Sequence, residues 1–140
     1  MAITISLYDT FKTELAKGTH NFGSGGDTFK LALLNGHVFD AADDLFSDVS
    51  ADEVAAGTGY TAGGEAVGSM TATDSSGTTT IDAADVTWSS LTKTTDGAVL
   101  YNSSKSNKLV AYIDFDGSQS PSAQDFTVQW SGSGIATVTG

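Results

Sequence analysis

The 140-residue chain contains no cysteine, one proline and two histidines, and all six of its basic residues are lysine. Without cysteine it has neither a disulfide framework nor a thiolate metal site, and its redox compartment leaves no mark on the sequence. Arginine is the usual residue for bidentate contact with phosphate or guanine. Its absence, with six lysines against seventeen acids and a formal net charge of −11, predicts no nucleic-acid partner. No apolar run approaches the ~18 residues of a membrane span, and the opening MAITISLYDTF has no basic stretch leading into an apolar one. No membrane partner and no secretory leader are expected. Only His20 and His37 could serve as an imidazole base, and no serine sits in a G-x-S-x-G turn, so the sequence predicts no enzyme. Both histidines are expected as exposed or hydrogen-bonded loop residues.

What is present is strand-forming. Ala98 to Phe115, AVLYNSSKSNKLVAYIDF, places two β-rich runs on either side of the polar loop Asn102 to Lys108, the pattern of an antiparallel hairpin. Leu109, Ala111, Ile113 and Phe115 point to one face and Val110, Tyr112 and Asp114 to the other, so the second run is expected to be a central strand covered on both sides. Ile3 to Lys17 carries Leu7, Phe11 and Leu15 at helical spacing. Ser6 and Asp9 resemble a capping box and Gly18 stands at the C-terminal stop, which predicts one helix. DTFKLALL reads as a strand ending at the Asn35-Gly36 turn.

Residues 37–57 form an acidic loop, with Asp40, Asp43, Asp44, Asp48, Asp52 and Glu53 and no basic residue. Leu45, Phe46, Val49 and Val54 pin it to the core through one or two helical turns. Gly57 to Ser69 holds five glycines and no following lysine, so it reads as a strand with a bulge or close backbone approach rather than a phosphate loop. DSSG at 74–77 turns between two exposed strands. IDAADVTWSSL is a strand with Val86, Trp88 and Ser90 on one face, and a loop over 116–123 precedes the alternating DFTVQW and a last strand, IATVT. The expectation is a single domain over 1–140, with an N-terminal arm and helix in 1–18. Its fold class is mainly all-β, a β-sandwich or jelly-roll-like barrel of about seven or eight strands. Its core is expected to include Phe29, Leu31, Tyr60, Trp88, Tyr112, Ile113, Phe115, Phe126, Val128 and Trp130.

Three constellations could carry chemistry. Asp114 and Asp116 could pair at a strand end or, like the Asp40 to Asp52 loop, hold calcium, but D-x-D-G-S lacks a third acid and a distal glutamate, so no metal and no cofactor are expected and the turn reads as solvated. Trp88, Trp130, Tyr60, Tyr101 and Tyr112 could form a sugar-stacking face. The two tryptophans, however, run in phase with Val86, Phe126 and Val128, which favours the core. The sequon Asn102-Ser103-Ser104 matters only in a secretory pathway.

Taken in order, GTGYTAGGEAV, ADVTWSS, AVLYN, KLVAYIDFDGSQS, FTVQW and GIATV, preceded by LYDTFKTELAKGTHNF and DTFKLALL, resemble small virion proteins of tailed bacteriophages. The resemblance covers nearly the whole chain. It implies a non-enzymatic capsid decoration, or cement, protein on the outer surface of an HK97-like shell, made in the bacterial host cytoplasm. The implied partners are the major capsid protein and further copies of itself, as a homodimer or homotrimer. An acidic subunit suits a basic capsid patch, with Ile3 and Ile5 of the N-terminal arm and Asp40, Asp43, Asp44, Asp48, Asp52 and Glu53 as the expected contacts. The IDFDGS turn departs from the glycine-rich version expected of the family and is given no role. Two alternatives remain at this stage: a tail or head-tail junction component, and a carbohydrate-binding β-sandwich module.

Overall fold

Apolar alternation, and continuous apolar runs where both faces are covered, set the core strands in the computed structural model, which describes residues 1–140. The order is β1 (Thr4–Leu7), α1 (Asp9–Ala16), β2 (Phe29–Leu34), α2 (Phe46–Val49), a 3₁₀ turn (Ser50–Asp52), β3 (Glu65–Val67), β4 (Thr71–Ser75), β5 (Thr78–Asp82), β6 (Val86–Leu91), β7 (Thr95–Asn102), β8 (Lys108–Gln119), β9 (Gln124–Val128) and β10 (Ala136–Thr139). Ten strands replace the expected seven or eight. The chain is mainly β, a sandwich-like fold of antiparallel sheets with a short N-terminal helix.

The main sheet runs β1-β8-β7-β2-β3, beside a three-stranded sheet β10-β5-β4 and a ribbon β6-β9. β8 is an interior strand, buried on both faces from Leu109 to Ile113, as its sequence predicts; the middle place belongs to its hairpin partner β7. One face of this sheet meets the acidic segment, where Phe46 stacks on Tyr101 at 4.5 Å and Phe39 on Tyr112 at 5.9 Å between ring centroids. The other face carries a chain of rings from Phe115 through Phe126 to Trp88, and a second from Phe29 through Phe22 to Phe11. All ten expected core residues are buried in one cluster, and each large side chain removed from water contributes roughly 1.5–3 kcal/mol.

Four local expectations are corrected. The helix does not begin at Ile3, because Thr4 to Leu7, opened by the β-branched Thr4 and Ile5, pairs with β8, Ile5 opposite Ile113. Ser6 is therefore in a strand and caps nothing. Tyr8 is the N-cap, without a side-chain bond, and the Asp9 N–H donates to the Ala41 carbonyl at 3.0 Å. Ser90 is exposed with φ +51°, since the β6-β9 register shifts between Trp88 and Leu91 and turns Leu91 inward in its place. β8 continues past Phe115 to Gln119, opposite Thr95, so much of the expected 116–123 loop is strand.

Two glycine-dependent predictions hold. α1 ends in a Schellman motif, with Gly18 (φ +79°) donating to Leu15 and Thr19 to the Glu14 carbonyl. At Gly64 (φ +83°) an added Cβ would fall 1.9 Å from the Leu31 carbonyl oxygen, the close backbone approach read from the glycine-rich run, although only Glu65–Val67 of that run is strand and the rest turns.

Candidate functional site

The six acids nominated between Asp40 and Glu53 divide into two groups once their partners are seen. Asp48 Oδ2 accepts the N–H groups of Asp44 and Leu45 at 3.0 Å each, and these bonds hold its carboxyl below the usual carboxylate range. Asp44 faces the Lys108 ammonium at 3.4 Å. Asp52 Oδ2 lies 2.8 Å from His37 Nδ1. Glu53 Oε2 accepts from the Tyr60 hydroxyl at 2.6 Å and the Gly63 N–H at 2.7 Å. These four are engaged within the fold. Asp40 is exposed and its carboxylate accepts only the Ala42 N–H, and the Asp43 carboxylate has no hydrogen-bond donor. Partial burial, then the charges of Asp40 and Asp48, push the Asp43 carboxyl up.

Ile3 and Ile5 are half-buried against the core, and Ile5 lies in an edge strand. The expected N-terminal arm is therefore part of the sheet from Thr4 onward.

The sugar-stacking face does not exist as a surface. Trp88 is 1% exposed and Trp130 6%, and Tyr60, Tyr101 and Tyr112 are buried with them. Burial, reinforced by Glu53 at Tyr101 and by Asp114 and Asp96 at Tyr112, pushes the Tyr101 and Tyr112 phenols up to about 12. Asp114 accepts the Asp116 N–H at 2.9 Å, and Asp116 lies 3.3 Å from the Thr4 hydroxyl, so the DFDG carboxylates serve their own turn and β1. No group of three or more His, Asp or Glu side chains is placed to hold a metal ion.

Two features escaped the sequence. The first is a buried polar network. Asn102, read as a loop residue, is fully buried; its Nδ2 donates to Asp27 Oδ2 at 2.8 Å and to His20 Nδ1 at 3.0 Å, while its Oδ1 accepts the Ser104 N–H at 3.0 Å. With Nδ1 accepting, the imidazole proton sits on Nε2, which is buried without a partner. Burial lowers the His20 pKa despite nearby Asp27 and Glu14 and keeps the ring neutral. At Asp27 burial acts upward, yet the Asn102 and Asn21 hydrogen bonds prevail and its pKa is lowered. Sequence separations of 75 and 82 residues leave no local signal for this network.

The second feature is a cleft between α1 and the inner face of the three-stranded sheet. It consists of two cavities of about 540 and 490 Å³ that share Leu15 and Val138. Leu7, Phe11 and Leu15 form one wall and Ala136, Val138 and Ile81 the other, with His20 at the floor of the second cavity. No carboxylate lines either cavity. Such a cleft suits apolar side chains and offers no acid, base or nucleophile pair for a reaction.

Comparison with protein-family models, curated proteins and solved structures finds no match to any of them.

Proposed function

We propose that this protein is a structural component of a tailed-phage virion, a decoration or cement protein that binds the outer capsid surface and stabilises the shell by bridging major capsid protein subunits. The observation that carries the reading is the ordered succession of motifs. Each falls on a framework element: GTGYTAGGEAV on the Tyr60 loop and β3, ADVTWSS on β6, AVLYN on β7, KLVAYIDFDGSQS on β8, FTVQW on β9 and GIATV on β10.

The chemistry of the surface supports it. A single-core β module presents Asp40 and Asp43 with few internal partners, in a chain of net charge −11, and a basic patch on a shell is the natural complement. A subunit that binds only the assembled shell stabilises it by mass action, copy by copy, and no reaction is required of it.

The deciding experiment mixes purified protein with phage heads that lack it, sediments them, and compares their resistance to heat and chelator with and without it. Saturable binding with raised particle stability is expected. Failure to bind any head overturns the reading.

A further inference from the structure

The three-stranded sheet ends at β10 with an open edge. β10 pairs with β5 on one side only, so alternate N–H and C=O groups of Ala136–Thr139 have no strand beside them. Proteins usually blunt such edges with charge, proline or a cover. Most other edges of this molecule follow that rule, since β3 carries Glu65, β4 Asp74 and β9 Asp125, and β6 lies against β3; the edge strand β1, Thr-Ile-Ser-Leu, is uncharged as well, but only its Leu7 reaches the cleft. β10 reads Ala-Thr-Val-Thr, without charge or proline, and Val138 is 46% exposed. All four β10 residues line the cleft, so its backbone as well as its inward side chains borders the apolar space.

Charge leaves the cleft open to a second copy. The chain has seventeen acids, yet the only charged side chain lining the cleft is Lys12, whose ammonium lies 3.7 Å from Asp9. Two copies that repel over most of their surface can approach here without bringing carboxylates together. A basic foreign segment would find its complement on the acidic loop instead.

We propose that a second copy of this chain covers the cleft, β10 pairing antiparallel with the partner's β10 about a two-fold axis. Opposed residues of an antiparallel pair share a face, so a dyad through Thr137 or Val138 keeps Ala136 and Val138 of both copies inward. Each copy's Val138 then packs toward the other's Leu15 and Phe11, and two three-stranded sheets become one of six strands. The interface is independent of the capsid reading, since a monomer can decorate a shell and a dimer can exist without one.

The test is sedimentation equilibrium over a wide concentration range, with Val138→Asp placing a carboxylate in the cleft and Ser75→Asp, on the far edge strand β4, as control. The wild type and Ser75→Asp should approach twice 14.3 kDa. Val138→Asp, folded by circular dichroism, should dimerise more than about a hundredfold more weakly, because a carboxylate would be buried unpaired. A dimer unaffected by Val138→Asp overturns the proposal. So does a wild type that stays monomeric over that range, and uptake of anilinonaphthalene sulfonate by such a monomer would assign the cleft to a different chain.

Discussion

Glu53 Oε2 lies 2.6 Å from the Tyr60 hydroxyl, and this contact fastens the acidic segment to the glycine-rich loop. The same hydroxyl accepts the Leu33 N–H at 3.1 Å, and Glu53 also takes the Gly63 N–H. One buried phenol therefore ties β2, residues 37–57 and the loop before β3 together. Burial, then Glu53, pushes the Tyr60 pKa well up, so the phenol keeps the proton it donates.

Tyr60→Phe keeps the ring and removes this junction. It leaves the Leu33 N–H and the Glu53 carboxylate without a partner at the lost oxygen, and should cost about 2 kcal/mol in urea unfolding. An unchanged midpoint would show that the contact contributes nothing.

Gly64→Ala adds a methyl where the Leu31 carbonyl already stands, on a backbone with φ +83°. The expected loss is at least about 2 kcal/mol, with faster amide exchange in β2 and β3 than in β8. A neutral substitution would mean that the β2-β3 approach is looser than the structure has it.

Stability should fall as pH drops below about neutrality. His20 has a folded pKa below its ordinary value of 6.5 because of burial, so the unfolded chain binds the proton first and stability is lost from that value downward. Asp27, Asp48 and Glu14, the last held down by the Thr19 hydroxyl, add further losses in the carboxylate range. His20→Gln should flatten the thermal midpoint between pH 7 and about 5 while leaving the lower loss in place. A slope that survives this change would assign the titration to another group.

Asp43 has the opposite sign. Its carboxyl is pushed up, so ionisation disfavours the fold, and Asp43→Asn should raise the melting temperature at pH 7 but not in strong acid. Combined with Asp40→Asn, it should weaken binding to capsids and reduce its salt dependence without loss of fold. Equal binding and an equal salt slope would remove the electrostatic part of the capsid proposal.

Trp88 and Trp130 fluorescence should be blue-shifted and unmoved by oligosaccharides, because both indoles are packed inside. Quenching by a sugar would revive the carbohydrate-binding alternative.

Alternation alone determined much of this fold. Phe126 and Val128, alternating with Thr127, bury one side of β9, and Phe29, Leu31 and Leu33 do the same for β2, whose other side Ala32 and Leu34 fill. The stripe of Leu7, Phe11 and Leu15 was also real. All three line one cleft, although Leu7 reaches it from a strand, because pairing with β8 outweighs helical phase where the residues are β-branched. Tertiary structure decided what each polar residue does. Asp40 and Asp48 are the same letter in the same acidic segment and both exposed, yet Asp48 accepts two amide groups that close the turn into α2 and Asp40 only one. Asn102 left the loop for the core because Asp27 and His20 arrive from 75 and 82 residues away. Burial follows from a residue's own chemistry and spacing, whereas hydrogen-bond and ion-pair roles depend on partners that only the folded chain brings within about 3 Å.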